Sequence, residues 1–201
     1  PGNMPGLPVY TVLEGLLTGN INLVKLPRSD KGLSLAAFHL LVEQEPRLAP
    51  YIYAFDLPSG EEVDITFLAS LADGLVTWGG EGAIRAARRL APAGAKLIEW
   101  GHRLSFAYVS GYRDKDMEGN VLVKLLPQGE LLPTLRRQKG RLQTAGLLCS
   151  PEKREALIAL LSQAGVTRIT RAGTMSAAFP GEAHDGEYPL RRYLRVVDVE
   201  Q

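Results

Sequence analysis

A single cysteine, Cys149, stands in 201 residues, so no internal disulfide can close and cysteine alone can build no thiolate metal site. That scarcity fits a reducing compartment, and a cytoplasmic location is the expectation. Neither sign of charge is in excess: 23 basic side chains face 22 acidic ones, for a formal net charge of +1. No global field therefore draws the chain to nucleic acid or to an anionic membrane, and any anion site has to be local. Long apolar runs are missing too. The most apolar stretch, Leu33 to Val42, is far short of the roughly 20 residues a membrane span needs, and no charged-then-apolar signal segment opens the sequence. What is present, 45% hydrophobic and 22% charged residues with 7% aromatics, is the composition of a globular chain of one or two domains. It excludes disorder, collagen and coiled coil.

Apolar periodicity alternates between short β-branched runs and amphipathic stretches of helical length, the pattern of an α/β chain with a parallel sheet covered by helices. A helix is expected from Pro8 to Gly19, then a strand from Ile21 to Leu26. Pro27-Arg28-Ser29-Asp30 breaks to a helix over Gly32 to Glu45, and Tyr51 to Phe55 reads as the next strand. The unit repeats through helix Glu61 to Ala72, strand Leu75 to Trp78, helix Glu81 to Leu90 and strand Ala95 to Glu99, with Leu104 to Val109 as a further strand. Beyond a polar stretch at 111–120, the expected junction, come strand Val121 to Leu125, a helix near Leu131 to Arg137, strand Leu142 to Leu148, helix Pro151 to Ala164 and strand Val166 to Thr170. A final strand is expected over Tyr193 to Val199. No internal repeat is visible.

Ligands of open α/β sheets bind outside the carboxyl ends of the strands, and several such ends carry polar groups here. Lys25 closes a strand with Arg28 three residues on, and the pair reads equally as a phosphate or ribose contact and as solvated surface charge. Trp78-Gly79-Gly80-Glu81-Gly82 lies between strand and helix, where bare backbone N–H groups and a helix dipole suit a pyrophosphate. It is not the full dinucleotide fingerprint, and a glycine turn that only reverses the chain is the other reading. Asn3 is a turn residue or an amide donor. Glu99 precedes Trp100-Gly101-His102; a carboxylate against an indole would titrate high, toward general-base range, whereas one facing water would not. His102 reads as a loop histidine. Cys149 ends a strand before Ser150-Pro151 and is structural or, with a helix N-terminus to stabilise its thiolate, a nucleophile. His184, Asp185 and Glu187 are metal-ligand types without metal-site spacing, and Arg191, Arg192 and Arg195 flank the expected last strand.

Pro1-Gly2-Asn3-Met4-Pro5, Gly19-Asn20, Lys25-Leu26-Pro27-Arg28-Ser29-Asp30, Trp78-Gly79-Gly80, Ile98-Glu99-Trp100-Gly101-His102 and the stretch from Ala183 to Tyr193 together resemble the bacterial bioluminescence-type fatty acyl-CoA reductases of the aldehyde dehydrogenase superfamily. The resemblance covers nearly the whole chain. It implies a Rossmann-like, mostly parallel sheet with helices on both faces, binding NADP(H), in proteins that reduce a fatty acyl group from acyl-CoA to an aldehyde through an acyl-cysteine intermediate. By resemblance Asn3 is the oxyanion donor, Glu99 the general base, Lys25 a contact to the adenosine ribose, and Gly79 and Gly80 line the pyrophosphate. Arg28 stands where an acidic residue would hold a 2′-hydroxyl, and a cation there suits a 2′-phosphate.

In the family the nucleophilic cysteine follows the Glu-x-Gly segment within an inserted catalytic domain. Here only Arg103 to Gly119 separates that segment from Asn120-Val121, which resembles the later part of the family. The resemblance thus implies a cofactor-binding portion without the nucleophile segment, and Cys149, in a different part of the family pattern, does not inherit that role. The strand expected before Pro1 is also absent from the sequence, leaving sheet edges that point to instability or to a homo-oligomer. The alternative is a cofactor-independent assembly module associating through its C-terminal strand.

Overall fold

The computed structural model describes residues 6–58, 60, 62–110, 125–179 and 181–200. In chain order the elements are α1 (Leu7–Leu17), β1 (Asn22–Lys25), α2 (Leu33–Gln44), β2 (Ile52–Phe55), α3 (Glu62–Ser70), β3 (Gly74–Trp78), α4 (Glu81–Leu90), β4 (Lys96–Trp100), β5 (Leu104–Val109), α5 (Gln128–Arg136), β6 (Leu142–Leu148), α6 (Pro151–Ala164), β7 (Arg168–Arg171) and α7 (Pro189–Arg192). The chain divides into two compact units, the first comprising Pro1–His102 with Pro189–Gln201 and the second Arg103–Tyr188. The expected junction at 111–120, and the expected strand from Val121 up to residue 124, lie outside the described residues. No helix among the described residues is long and apolar enough to cross a membrane.

The α/β, Rossmann-like reading holds: every strand pair is parallel, and in the first unit helices connect the successive strands. The sheet, however, is divided. In the first unit β1 pairs with β2, from Asn22↔Ile52 to Lys25↔Phe55, and β3 with β4, from Gly74↔Lys96 to Trp78↔Trp100. In the second, β6 lies between β5 and β7.

Local chemistry accounts for the elements of the first unit. Pro8 occupies the first turn of α1, where its missing N–H costs nothing. Val12 of α1 joins Leu26 and Phe38 in a core that Val24, Ile52 and Ala54 extend, so α1 and α2 cover one face of the β1–β2 pair. Asp30 holds the first turn of α2. Its carboxylate accepts the Ser34 backbone N–H at 2.9 Å and the Ser34 hydroxyl at 2.5 Å, and Ser34 is wholly buried. Asp30→Ala leaves a first-turn N–H and a buried hydroxyl without their acceptor, a loss of about 2 kcal/mol. Both tryptophans, Trp78 and Trp100, belong to the first unit, so urea unfolding followed by tryptophan fluorescence should show the reduced midpoint.

In the second unit Leu157, Leu161 and Ala164 recur along one stripe of α6 and pack with Leu142, Ala145 and Leu147 of β6, an i, i+4, i+7 face on a strand buried from both sides. Gly165 closes α6 with φ 96°, a left-handed cap that glycine adopts without strain.

The expected final strand does not form. After the short helix α7, residues 194–200 belong to no ladder. The Lys96 ammonium instead donates to the carbonyls of Arg191 and Leu194, at 3.3 and 3.1 Å, while the Arg195 guanidinium donates to those of Asp73 and Gly94. Side chains, not strand pairing, thus hold the start of this segment, and Val196, Val197 and Val199 are left 96%, 80% and 76% exposed. Their β-branching favours a strand only where a sheet edge receives it.

Candidate cofactor and catalytic site

In the first unit the candidate residues stand at or beside the carboxyl ends of strands in two separate pairs, Lys25 on β1 and Gly79, Gly80 and Glu99 at β3 and β4. Lys25 is the last residue of β1, and Arg28 opens a 3-10 turn behind it. Among the described residues no ion pair engages either cation. Trp78 ends β3 and Trp100 ends β4, in register with each other. Their rings stack at 4.9 Å between centroids with an interplanar angle of 19°, and the Arg192 guanidinium lies 4.3 Å over the Trp100 ring. The Trp78 indole N–H donates to the Thr11 hydroxyl of α1 at 2.9 Å. The ends of β3 and β4 are therefore tied together by two stacked indoles, with a cation over the Trp100 face.

Gly79 and Gly80 lead from β3 to α4. A Cβ at Gly79 would stand 2.8 Å from the Ala83 Cβ, and one at Gly80 would stand 3.2 Å from His102 Cε1. A side chain at Gly79 would thus force Ala83 to shift, and one at Gly80 would crowd His102. The same bareness opens the first N–H groups of α4, which have no intrahelical acceptor, to an anion. Glu81 sits in that first turn and pairs with Arg85 at 3.5 Å. His102, read from sequence as a loop histidine, lies against the glycine turn.

Glu99 is held otherwise than the sequence suggests. Its neighbour Trp100 is buried, but the Glu99 carboxylate is gripped by Arg88 of α4, with Nε donating to Oε1 at 2.6 Å and Nη2 to Oε2 at 2.8 Å. The Arg88 guanidinium holds the carboxyl below its usual range, against the opposing effect of burial. An indole-raised carboxyl is therefore not what this structure contains. Charge pairing outweighs desolvation because Glu99 is 24% exposed and its partner's fork is bidentate.

A carboxyl lowered on folding stabilises at pH values above its unfolded range, and the contribution disappears as pH falls through the folded value. The stability gap between the parent chain and Arg88→Gln should therefore be open at neutral pH and shrink as the pH falls through the acid range. Thermal melts across that range provide the check; a gap unchanged in acid would show that the ion pair does not set it.

Asn3 lies outside the described residues. In the second unit Cys149 is half-buried and packs against the α6–β6 core. Asp185, at φ 53°, accepts from Gln143 Nε2 at 2.9 Å and pairs with Arg103 at 2.8 Å, while His184 and Glu187 exchange backbone hydrogen bonds across the turn. No group of three or more metal-ligating side chains occurs among the described residues.

Sequence reasoning missed Arg88 and placed Arg192 beside a strand that is not there. Nothing in the spacing marks either one. Arg88 meets Glu99 only because α4 turns back along β4, and Arg192 meets Trp100 only because the chain returns to the first unit after residue 188.

A family model described as acyl-CoA reductase (LuxC) matches residues 1–122 and 115–196. No curated protein matches the chain. With nearly its full length accounted for in those two stretches, the chain belongs to the LuxC acyl-CoA reductase family.

Proposed function

We propose that this chain is the NADP(H)-binding portion of a fatty acyl-CoA reductase, without the segment that carries the family's nucleophilic cysteine. The observation that carries the reading is the Gly79-Gly80 turn, bare backbone between the carboxyl end of β3 and the N-terminus of α4, in the same unit as Lys25 and Arg28 at the carboxyl end of β1. A dinucleotide phosphate needs that combination of close-approach backbone and cations. In this reading Gly79 and Gly80 meet the pyrophosphate, Lys25 the adenosine ribose and Arg28 the 2′-phosphate. When bound, the nicotinamide supplies a hydride.

The residues themselves divide the remaining work. Asn3 donates to the oxyanion, and Glu99 acts as base once its carboxylate is free of Arg88. While the ion pair is closed the carboxylate is charged but occupied, so Arg88 holds the base in reserve. The two matched family stretches meet at residues 115–122, which supports a junction where the catalytic domain would be inserted. A cytoplasmic location belongs to the same reading.

Calorimetric titration with NADPH and NADH tests it. Saturable binding that favours NADPH is expected; a folded chain that binds neither overturns the assignment. The exposed Val196, Val197 and Val199 favour a second reading, a cofactor-independent assembly module forming a homo-oligomer through this segment. In that case size exclusion shows an oligomer that cofactor leaves unchanged and that Val197→Asp dissociates.

A further inference from the structure

Among the described residues no strand ladder joins the β1–β2 pair to the β3–β4 pair. The residues assigned to the cofactor are nevertheless divided between them, with Lys25 and Arg28 at the end of β1 and Gly79 and Gly80 after β3. A ligand that bridges two such places gains from both only while their spacing is fixed.

Residues 191–195 touch both parts of the unit. On one side stands α1, which shares its core with β1 and β2. Asn20, between α1 and β1, donates from Nδ2 to the Tyr193 carbonyl at 3.2 Å, and α7 packs against α1. The Tyr193 hydroxyl is buried beside the carboxylate of Glu14, which is itself only 4% exposed. Burial, and then that carboxylate, push the phenol above its ordinary range, so it stays uncharged at neutral pH.

On the other side the contacts run the length of β4. The Arg195 guanidinium donates from Nη2 to the carbonyls of Asp73 and Gly94, at 3.2 and 3.0 Å, just ahead of β3 and β4. Lys96, the first residue of β4, donates to the carbonyls of Arg191 and Leu194, and Arg192 lies over Trp100, the last. Residues 194 and 195 join no ladder, so their main-chain carbonyls are open to side-chain donors.

We propose that residues 191–195 are a strap that fixes the β1–β2 pair, with α1, against the β3–β4 pair and so sets the spacing between Lys25 with Arg28 and the Gly79-Gly80 turn. Asn20, Lys96 and Arg195 are positioning residues, which hold the strap and touch no ligand. The strap itself stands on these contacts, whereas its effect on the cofactor rests on the reading given under the proposed function. The Trp78 indole N–H, bonded to Thr11 of α1 at 2.9 Å, crosses between the same two parts and reports on their spacing.

The test uses the full chain carrying Lys96→Met and Arg195→Gln together. Both side chains are exposed, and replacing them removes the strap's hydrogen bonds to β3 and β4 without altering a backbone ladder. Hydrogen exchange followed by NMR without cofactor should show the Trp78 indole N–H exchanging at least about tenfold faster than in the parent. The Leu26 and Gly79 amides, which bond within a pair to Phe55 and Trp100, should keep the parent's rates. An unchanged indole overturns the strap. So does equal acceleration of all three protons, which would be a general loss of stability. In the same variant NADPH, spanning both places, should bind about tenfold more weakly, while inorganic pyrophosphate, which needs only the glycine turn, stays within about twofold of the parent. An equal loss for both ligands, or no loss for NADPH, overturns the positioning role. If the parent chain binds no NADPH, the cofactor assignment falls and the indole result alone decides the strap.

Discussion

Arg28→Glu should weaken NADPH binding by about a hundredfold and NADH binding by no more than about threefold. The two cofactors differ at the ribose 2′ position, so only a residue that touches the 2′-phosphate can discriminate between them. A charge-assisted hydrogen bond contributes about 1.5–3 kcal/mol, equivalent to roughly 10- to 150-fold, and reversing the charge adds repulsion to the loss. Arg28 is exposed on a turn directly behind β1, and Asp30, two residues on, is engaged with Ser34 of α2. The carboxylate nearest in sequence is therefore not spent on the guanidinium. Calorimetry at fixed ionic strength makes the measurement. Equal losses for the two cofactors would remove Arg28 from the site while leaving Gly79 and Gly80 in it.

The distribution of what the sequence discloses follows from the range of the forces involved. Helix α6 begins at Pro151 and ends before Gly165 as periodicity and capping require, and β5 and β6 have the limits their apolar runs suggest. Those are local properties. Helix α5 starts at Gln128 and not near Leu131, because backbone bonding extends the first turn back to Pro127, beyond the apolar stripe. The placement of Lys25, Gly79 and Gly80 at strand ends is legible for the same local reason, since turn chemistry brackets each strand. The electrostatics of Glu99 are not legible. Its titration depends on Arg88, eleven residues away, and the apolar neighbour that the sequence does show, Trp100, stacks on Trp78 instead of desolvating the carboxylate. The terminal valines mislead in the opposite direction: strand propensity is present in Val196, Val197 and Val199, but strand formation is a property of the edge that receives them.

Leu161→Ala should be among the most damaging single substitutions in the second unit, lowering the protection of the β6 amides by about a hundredfold or more. Leu161 is wholly buried, with Leu157 and Ala164 beside it on α6 and Leu142, Ala145 and Leu147 facing it from β6. Truncation there removes buried methyl groups and leaves a cavity, together about 2–5 kcal/mol. The surroundings cannot collapse cheaply. Across β6, a Cβ at Gly146 would already stand 2.9 Å from the Ala172 backbone, so the strand is packed tightly on its other side and has little freedom to shift into the void. Leu148 provides the contrast: at 52% exposure its truncation should cost no more than about 0.5 kcal/mol. Hydrogen exchange at Ala145, Gly146 and Leu147 in the two variants separates these outcomes. Equal protection in both would mean that α6 does not set the stability of the β6 sheet.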